Sequence, residues 1–243
     1  MLLIFSLLNI YAVRARTFEE ILHLKKQFLD DHDSVKAAKC FEQKLNCSFI
    51  NASLVGMSDL RGKSVPIFTE YVESKFKLSR NLIYRNQHLT IALNDKDPYY
   101  SGNDTKLAAR CYAQLLILPN ARIYNAVTLN YTHIPLINEF RFYAKRLINI
   151  RRNRVIIARR MRELFPKKEN INLLLRDENL FLNTNTIADQ LKFYAHYHPN
   201  GSVGHLHVHG IFENLKHGGK DEEKNTPLSL VTKLLRFEEA QAK

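Results

Sequence analysis

Three histidines near the C-terminal end of the chain alternate with single apolar residues. His205, His207 and His209 occur in the stretch "GSVGHLHVHGIF", residues 201–212. Successive side chains of a β-strand point to opposite faces of the sheet. The spacing therefore predicts a strand with three imidazoles on one face and the apolar side chains turned towards the core.

Three kinds of chemistry fit such a row of imidazoles. Buried structural histidines would each need a hydrogen-bonding partner. A zinc site would take two ligands from the strand and a further one from His196 or His198. In the third interpretation, one imidazole attacks phosphorus and its neighbours hold phosphate oxygens. The preceding turn favours the third, because Gly201 and the Ser202 hydroxyl let a phosphate approach the backbone closely.

The stretch "SVGHLHVHGIF" resembles the signature of the histidine triad superfamily, in which three histidines alternate with apolar residues. The resemblance implies that His207 is the nucleophile and forms a covalent nucleotidyl intermediate. It also implies that His205 and His209 orient His207 and contact phosphate. No metal and no other cofactor is expected in such a site.

Within that superfamily the chain is most similar to scavenger mRNA decapping enzymes, which hydrolyse the 5′–5′ triphosphate of short capped fragments. The stretches "AHYHPNGSVGHLHVH" and "LLILPNARIYN" are the similar parts. They imply substrate or phosphate contacts for His196, Arg122 and Asn120, beside Gly201 and Ser202. A homodimer is also expected by resemblance.

Two departures keep other substrates open. Asn120 stands where decapping enzymes carry an acidic residue, and the chain has no tryptophan to stack on a cap. A tyrosine such as Tyr99, Tyr100 or Tyr124 would have to replace it. The alternatives are a dinucleoside polyphosphate hydrolase, a nucleoside phosphoramidase, or a non-catalytic protein that binds nucleotides or RNA.

The pattern of strands and helices around the histidines predicts an α+β fold. We expect a HIT-like antiparallel sheet with packed helices and a helical N-terminal region. We expect a nucleotide hydrolase domain over 85–243. Its strands are predicted at 88–93, 111–119, 191–198 and 205–212, and its helices over 133–149, 153–165 and 226–241. The segment 171–188 is predicted as helical or irregular.

The N-terminal region, residues 1–84, is predicted to be helical. Thr17 and Glu20 form a capping-box pattern at the start of one helix, and Asp33 is the expected cap of the next. Residues 1–15 are either a signal segment or a buried element of the fold. Five glycosylation sequons fit secretion, at Asn46, Asn51, Asn103, Asn130 and Asn200. Three cysteines without zinc-type spacing favour a cytoplasmic location.

The charge of the chain points to polyanionic partners. The formal net charge is +12 and the isoelectric point is about 9.6. Six arginines lie in the run 151–162, which is either the solvated face of a helix or an RNA contact. The stretch "GMSDLRGKS" is not a phosphate-binding P-loop, because five residues separate Gly56 from Gly62 where that motif has four. No apolar segment is long enough to span a membrane.

Overall fold

The structure is a computed structural model that describes residues 16–44, 67–73, 81–99, 110–166, 170–197, 205–217 and 225–243. Its strands are β1 (Leu82–Arg85), β2 (Leu89–Leu93), β3 (Leu115–Pro119), β4 (Leu191–His196), β5 (Val208–Phe212) and β6 (Asn225–Pro227). They form one sheet in the order β1-β2-β3-β5-β4-β6, and every neighbouring pair is antiparallel.

Helices pack against this sheet, which confirms the predicted α+β class. They are α1 (Phe18–Asp30), α2 (His32–Glu42), α3 (Ile67–Glu73), α4 (Ile134–Asn149), α5 (Arg151–Leu164), α6 (Ile171–Asn183) and α7 (Leu228–Gln241). The sequence did not predict β1 or β6, which have only four and three residues. Short strands carry little alternation from which to recognise them.

The first two helices begin and end at polar caps. Thr17 Oγ1 accepts the backbone N–H of Glu20, and the Glu20 carboxylate accepts the backbone N–H of Thr17, so the capping box is confirmed. The cap of α2 is Asp31, and the prediction of Asp33 was wrong. Asp31 Oδ1 accepts the backbone N–H of Asp33 at 3.2 Å, and its Oδ2 accepts the Ser34 hydroxyl at 2.6 Å.

Two predicted strands are shorter than expected at their N-terminal ends. The segment 111–119 becomes a strand only at Leu115, since Ala113 has a φ of 56° in the left-handed region. The segment 205–212 becomes a strand at Val208. His205 and His207 therefore lie in the segment that leads into β5, and His209 lies within the strand.

The two faces of the sheet have different coverings. Leu115 and Ile117 of β3 belong to the large core, whereas Leu116 and Leu118 form a separate small cluster with Val72 of α3. The residue opposite Leu116 on β5 is His209. Opposite residues of an antiparallel pair share a face, so the histidines lie on the face that α3 covers.

The N-terminal helices join the same core as the sheet. Ile21 and Phe28 of α1 and Phe41 of α2 are buried in one cluster with residues of β3, β5 and α7. Lys25 of α1 forms an ion pair with Glu238 of α7 at 2.5 Å. The predicted boundary between residues 84 and 85 falls within β1, which pairs with β2.

Several arginines of α5 bind other parts of the chain. Arg154 is 5% exposed and donates to the carbonyls of Ile148 and Leu182, both at 3.1 Å. Arg160 donates to the Leu82 carbonyl, and Arg162 forms a two-pronged ion pair with Glu178. Three of the six arginines in this run thus hold α5 to its neighbours.

The cysteines fall into two states. Cys40 of α2 is disulfide-bonded, while Cys111 is a buried free thiol whose pKa burial raises to about 12. Among the helices that the structure describes, none has the length and apolarity to cross a bilayer.

Candidate active site

The three histidines are buried side by side at the central strand β5. His205, His207 and His209 are 0%, 5% and 6% exposed. The rings of His207 and His209 lie 5.0 Å apart between centroids. The structure thus brings together the three residues that the sequence singled out, and the hydrogen bonds of each imidazole then determine what it can do.

His205 is bonded at both ring nitrogens. Its Nε2 lies 3.1 Å from the Pro119 carbonyl, which can only accept, so Nε2 carries the proton. Its Nδ1 then accepts the Thr69 hydroxyl of α3 at 2.8 Å. Burial lowers the pKa of His205 to about 4, which keeps it neutral near pH 7. His205 therefore links the end of β3 to α3 and has no free nitrogen.

His207 keeps one nitrogen free. Its Nδ1 donates to the backbone carbonyl of His205 at 2.9 Å, which leaves the lone pair on Nε2. No hydrogen bond reaches this Nε2 from the residues that the structure describes. Burial, and then the nearby His196, lower the pKa of His207 to about 3. A neutral imidazole with a fixed tautomer and an unbonded Nε2 has the form of a nucleophile.

A chain of hydrogen bonds fixes the tautomer of His209. The backbone N–H of Lys96 donates to Asn94 Oδ1 at 3.3 Å, and Asn94 Nδ2 donates to Gln114 Oε1 at 2.8 Å. Gln114 Nε2 therefore faces His209 Nδ1 as a donor at 3.1 Å. His209 must carry its proton on Nε2, where it donates to His196 Nε2 at 3.1 Å. Burial holds the pKa of His209 well below its usual range.

His196 completes a cluster of three imidazoles at the end of β4. Its ring centroid lies 5.0 Å from that of His207 and 4.9 Å from that of His209. The predicted contact of His196 with substrate remains a prediction, but the structure places this residue beside His207.

The same three residues offer donor atoms to a metal ion. One nitrogen of each of His196, His207 and His209 lies within 4.8 Å of the others. Ligation through His209 Nε2 would move its proton to Nδ1, where the Gln114 amide already donates. Two donors would then face each other, and turning the amides would cost Asn94 its bond from Lys96. The donor set is present, but its protonation pattern does not fit a metal site.

Helix α3 covers the histidines from above the sheet. Besides the Thr69 hydroxyl, it places the half-buried Phe68 ring 4.7 Å from the His207 ring in an edge-on arrangement. Glu73 at the end of α3 forms a two-pronged ion pair with Arg122, at 2.6 and 2.7 Å. Hydrogen bonding from Arg122 lowers the pKa of Glu73 to about 2.

Arg122 and Asn120, which were predicted to contact phosphate, bind other residues of the chain. Arg122 is held by Glu73, although its charge is close enough to contribute to the low pKa of His205. Asn120 Oδ1 accepts the Thr90 hydroxyl at 2.7 Å, and its Nδ2 donates to the Asn86 carbonyl at 2.7 Å. Gly201 and Ser202 lie outside the described residues.

Sequence reasoning missed the residues that set the histidine tautomers. Thr69, Asn94 and Gln114 are far from the histidines along the chain and belong to no recognisable motif. Gln114 did leave a weak signal, because it is a polar residue directly before the apolar run 115–119. No protein-family model matches this sequence, and a comparison with curated proteins finds no match either.

Proposed function

We propose that the protein is a histidine triad hydrolase of nucleotide phosphoanhydrides in which His207 forms a covalent nucleotidyl intermediate. The observation that supports this proposal is the state of His207. Its Nδ1 proton is held by the His205 carbonyl, and its Nε2 carries a free lone pair. The low pKa of His207 keeps that lone pair available throughout the neutral range.

The reaction has two displacements at phosphorus. His207 Nε2 attacks a nucleotide phosphorus, a P–N bond forms, and the anhydride P–O bond breaks with its electron pair leaving on the departing phosphate. Water then attacks the same phosphorus, and the P–N electrons return to Nε2. The water proton is taken up by the released nucleotide or by solvent.

The neighbouring histidines have different parts in this proposal. His205 fixes the backbone carbonyl that holds His207, so it is a positioning residue. His209 carries an N–H on Nε2, and a phosphoryl oxygen can accept it in place of His196. Arg122 is held by Glu73, so the neutral N–H of His209 and the charge of Lys96, which contributes to the low pKa values of His207 and His209, are the groups that can stabilise negative charge here.

The ring beside His207 is the observation that bears on the substrate class. Tyr99 and Tyr124 are 7% and 2% exposed, so neither offers a face to a base, and Tyr100 lies outside the described residues. Phe68 is the half-buried ring against His207. We propose the 5′–5′ triphosphate of capped RNA fragments as substrate, with dinucleoside polyphosphates and nucleoside phosphoramidates as alternatives for the same chemistry. A homodimer remains part of the proposal.

A second candidate, a non-catalytic nucleotide-binding protein, is favoured by one observation. His207 is only 5% exposed beneath Phe68. A substrate panel separates the two: capped dinucleotide, dinucleoside polyphosphates and a nucleoside phosphoramidate, each with and without chelator. We expect product, unaffected by chelator, and a protein adduct of nucleotidyl mass after rapid quenching without acid.

Two variants test whether the adduct forms on His207. His207→Ala should remove both adduct and turnover, whereas His23→Ala, on an exposed position of α1, should change neither. Binding of nucleotide without product or adduct would support the non-catalytic candidate. Turnover abolished by chelator would support a metal held by His196, His207 and His209.

A further inference from the structure

A concave basic surface lies between α4, β4 and α7. It is a groove of about 640 Å³. Its cationic lining residues come from three separate elements: Arg141 and Lys145 of α4, Lys192 of β4, and Lys233 and Arg236 of α7. We call this surface the basic groove. Like charges gathered from several elements are unfavourable to one another unless an anion binds between them.

The charge of the basic groove is not neutralised within the described parts of the chain. None of its five cations forms an ion pair there, and Asp189 is the single carboxylate among its described lining residues. The carboxylates nearby on α7 are engaged, Glu238 by Lys25 and Glu239 by Lys243. Burial, and then the charge of Arg236, lower the pKa of Arg141.

Aromatic rings lie among these cations. Phe193 and Tyr194 of β4 line the basic groove and are half-buried. A second groove of about 570 Å³ shares Arg141 and Lys145 with it and adds Phe142, whose ring is 56% exposed. The two grooves therefore form one continuous track along α4.

The basic groove and the histidines lie on different sides of the sheet. The apolar faces of α4 and α7 pack in the core that contains Leu115 and Ile117. His209 lies opposite Leu116, on the face that α3 covers. The cations of α4 and α7 therefore form a surface that is separate from the candidate active site.

We propose that the basic groove binds the backbone of single-stranded RNA. Cations that follow a phosphate chain, interleaved with rings on which bases stack, are the features by which proteins hold single strands. A flat bilayer would not reach Phe193 and Tyr194 inside a concavity, so an anionic membrane fits this surface less well. The proposal does not depend on chemistry at His207.

The test is fluorescence anisotropy of a labelled oligouridylate of about 12 nucleotides, within the range of single-strand site sizes. The full chain should bind it with an affinity that falls steeply as salt is raised from about 50 to 200 mM. Lys233→Glu/Arg236→Glu should weaken binding by at least about tenfold and reduce the salt slope by about two. Arg151→Glu/Arg152→Glu, with the same charge change on α5, should leave the affinity within about threefold.

Three outcomes of the RNA-binding assay would overturn the proposal. They are no binding by the unmodified chain, an equal loss in both double variants, and a larger loss on α5. Binding to phosphatidylserine-containing vesicles that depends on Lys233 and Arg236, without RNA binding, would also overturn it. Lys233 packs over the Phe18 ring, so thermal denaturation is used to check that each variant is folded. Lys145→Gln/Lys192→Gln is a second groove variant that leaves this contact intact. His207→Ala should bind RNA normally, which separates failure of the groove from failure of the catalytic proposal.

Discussion

The histidine face and the basic groove use ionisable side chains in opposite ways. On the histidine face, His205, His207 and His209 are buried and neutral, and hydrogen bonds determine which nitrogen carries each proton. In the basic groove, Lys192, Lys233 and Arg236 are exposed and charged. Hydrogen bonds in fixed directions can prepare one nitrogen for attack on a substrate. The electrostatic field of exposed charges attracts a polyanion but does not hold its atoms in fixed positions.

This difference also separates their responses to salt. Interactions between exposed charges are largely screened beyond a Debye length, which is about 8 Å at physiological ionic strength. Short hydrogen bonds between buried neutral groups are not screened in this way. Salt should therefore weaken what the basic groove holds while it leaves the arrangement of the histidines unchanged.

The largest expected effect comes from removal of the proposed nucleophile, His207. His207→Ala should lower kcat for the best substrate by about 10³-fold or more, since loss of a covalent nucleophile removes the reaction path itself. Steady-state and single-turnover assays measure the loss. RNA affinity should stay unchanged in the same variant. If His207→Ala kept its turnover, the histidine face would not be the catalytic surface, and the functional contrast with the basic groove would be wrong.

The next effect concerns the tautomer of His209. In Gln114→Glu the carboxylate accepts at His209 Nδ1, so the proton moves there and Nε2 gains a free lone pair. His196, His207 and His209 then present three metal-binding nitrogens, and zinc affinity should rise by about 10 to 100-fold. Calorimetry with zinc measures the change. Gln114→Leu is the control, and equal zinc affinity in all three proteins would contradict the assigned chain of hydrogen bonds.

Acid should destabilise the protein through the histidine face. His205 and His207 have pKa values of about 4 and 3 in the fold, below the value of about 6.5 in an unfolded chain. The unfolded state therefore binds more protons, and stability falls as pH drops from about 6.5 towards 4. The slope is up to about 1.4 kcal/mol per pH unit for each histidine.

Urea denaturation between pH 7 and 5 measures this slope. In His205→Gln the slope should be smaller, because one buried proton-binding group is gone. An unchanged slope would mean that another group, rather than the histidine face, controls acid stability.

Strong local patterns predicted much of the fold, and long-range contacts explain the rest. The periodicity of α1, α4 and α5 and the alternation around β5 were enough to place them. The α+β class followed from these elements. β6 was missed because it is three residues long, and 111–119 was overextended because nothing in the sequence marks the positive φ of Ala113.

The candidate site divides in the same way. Alternation alone placed His205, His207 and His209 on one face, because strand geometry is a local property. Their protonation pattern depends on Thr69, Pro119 and Gln114, which tertiary structure brings to them. The basic groove is also a product of tertiary structure, since its cations are scattered over three elements.

The smallest effect tests how α3 is held over His207. A seven-residue helix is not stable by itself, so its position depends on tertiary contacts such as the Thr69 bond to His205. Thr69→Val leaves His205 Nδ1 as a buried acceptor without a donor, which should cost roughly 1–3 kcal/mol in unfolding free energy. Thr69→Ser should restore most of this, and Thr186→Val, at an exposed turn, should cost less than about 0.5 kcal/mol. If Thr69→Val were as stable as the unmodified protein, the hydroxyl would not be what holds α3, and its apolar contacts through Phe68 and Val72 would have to suffice.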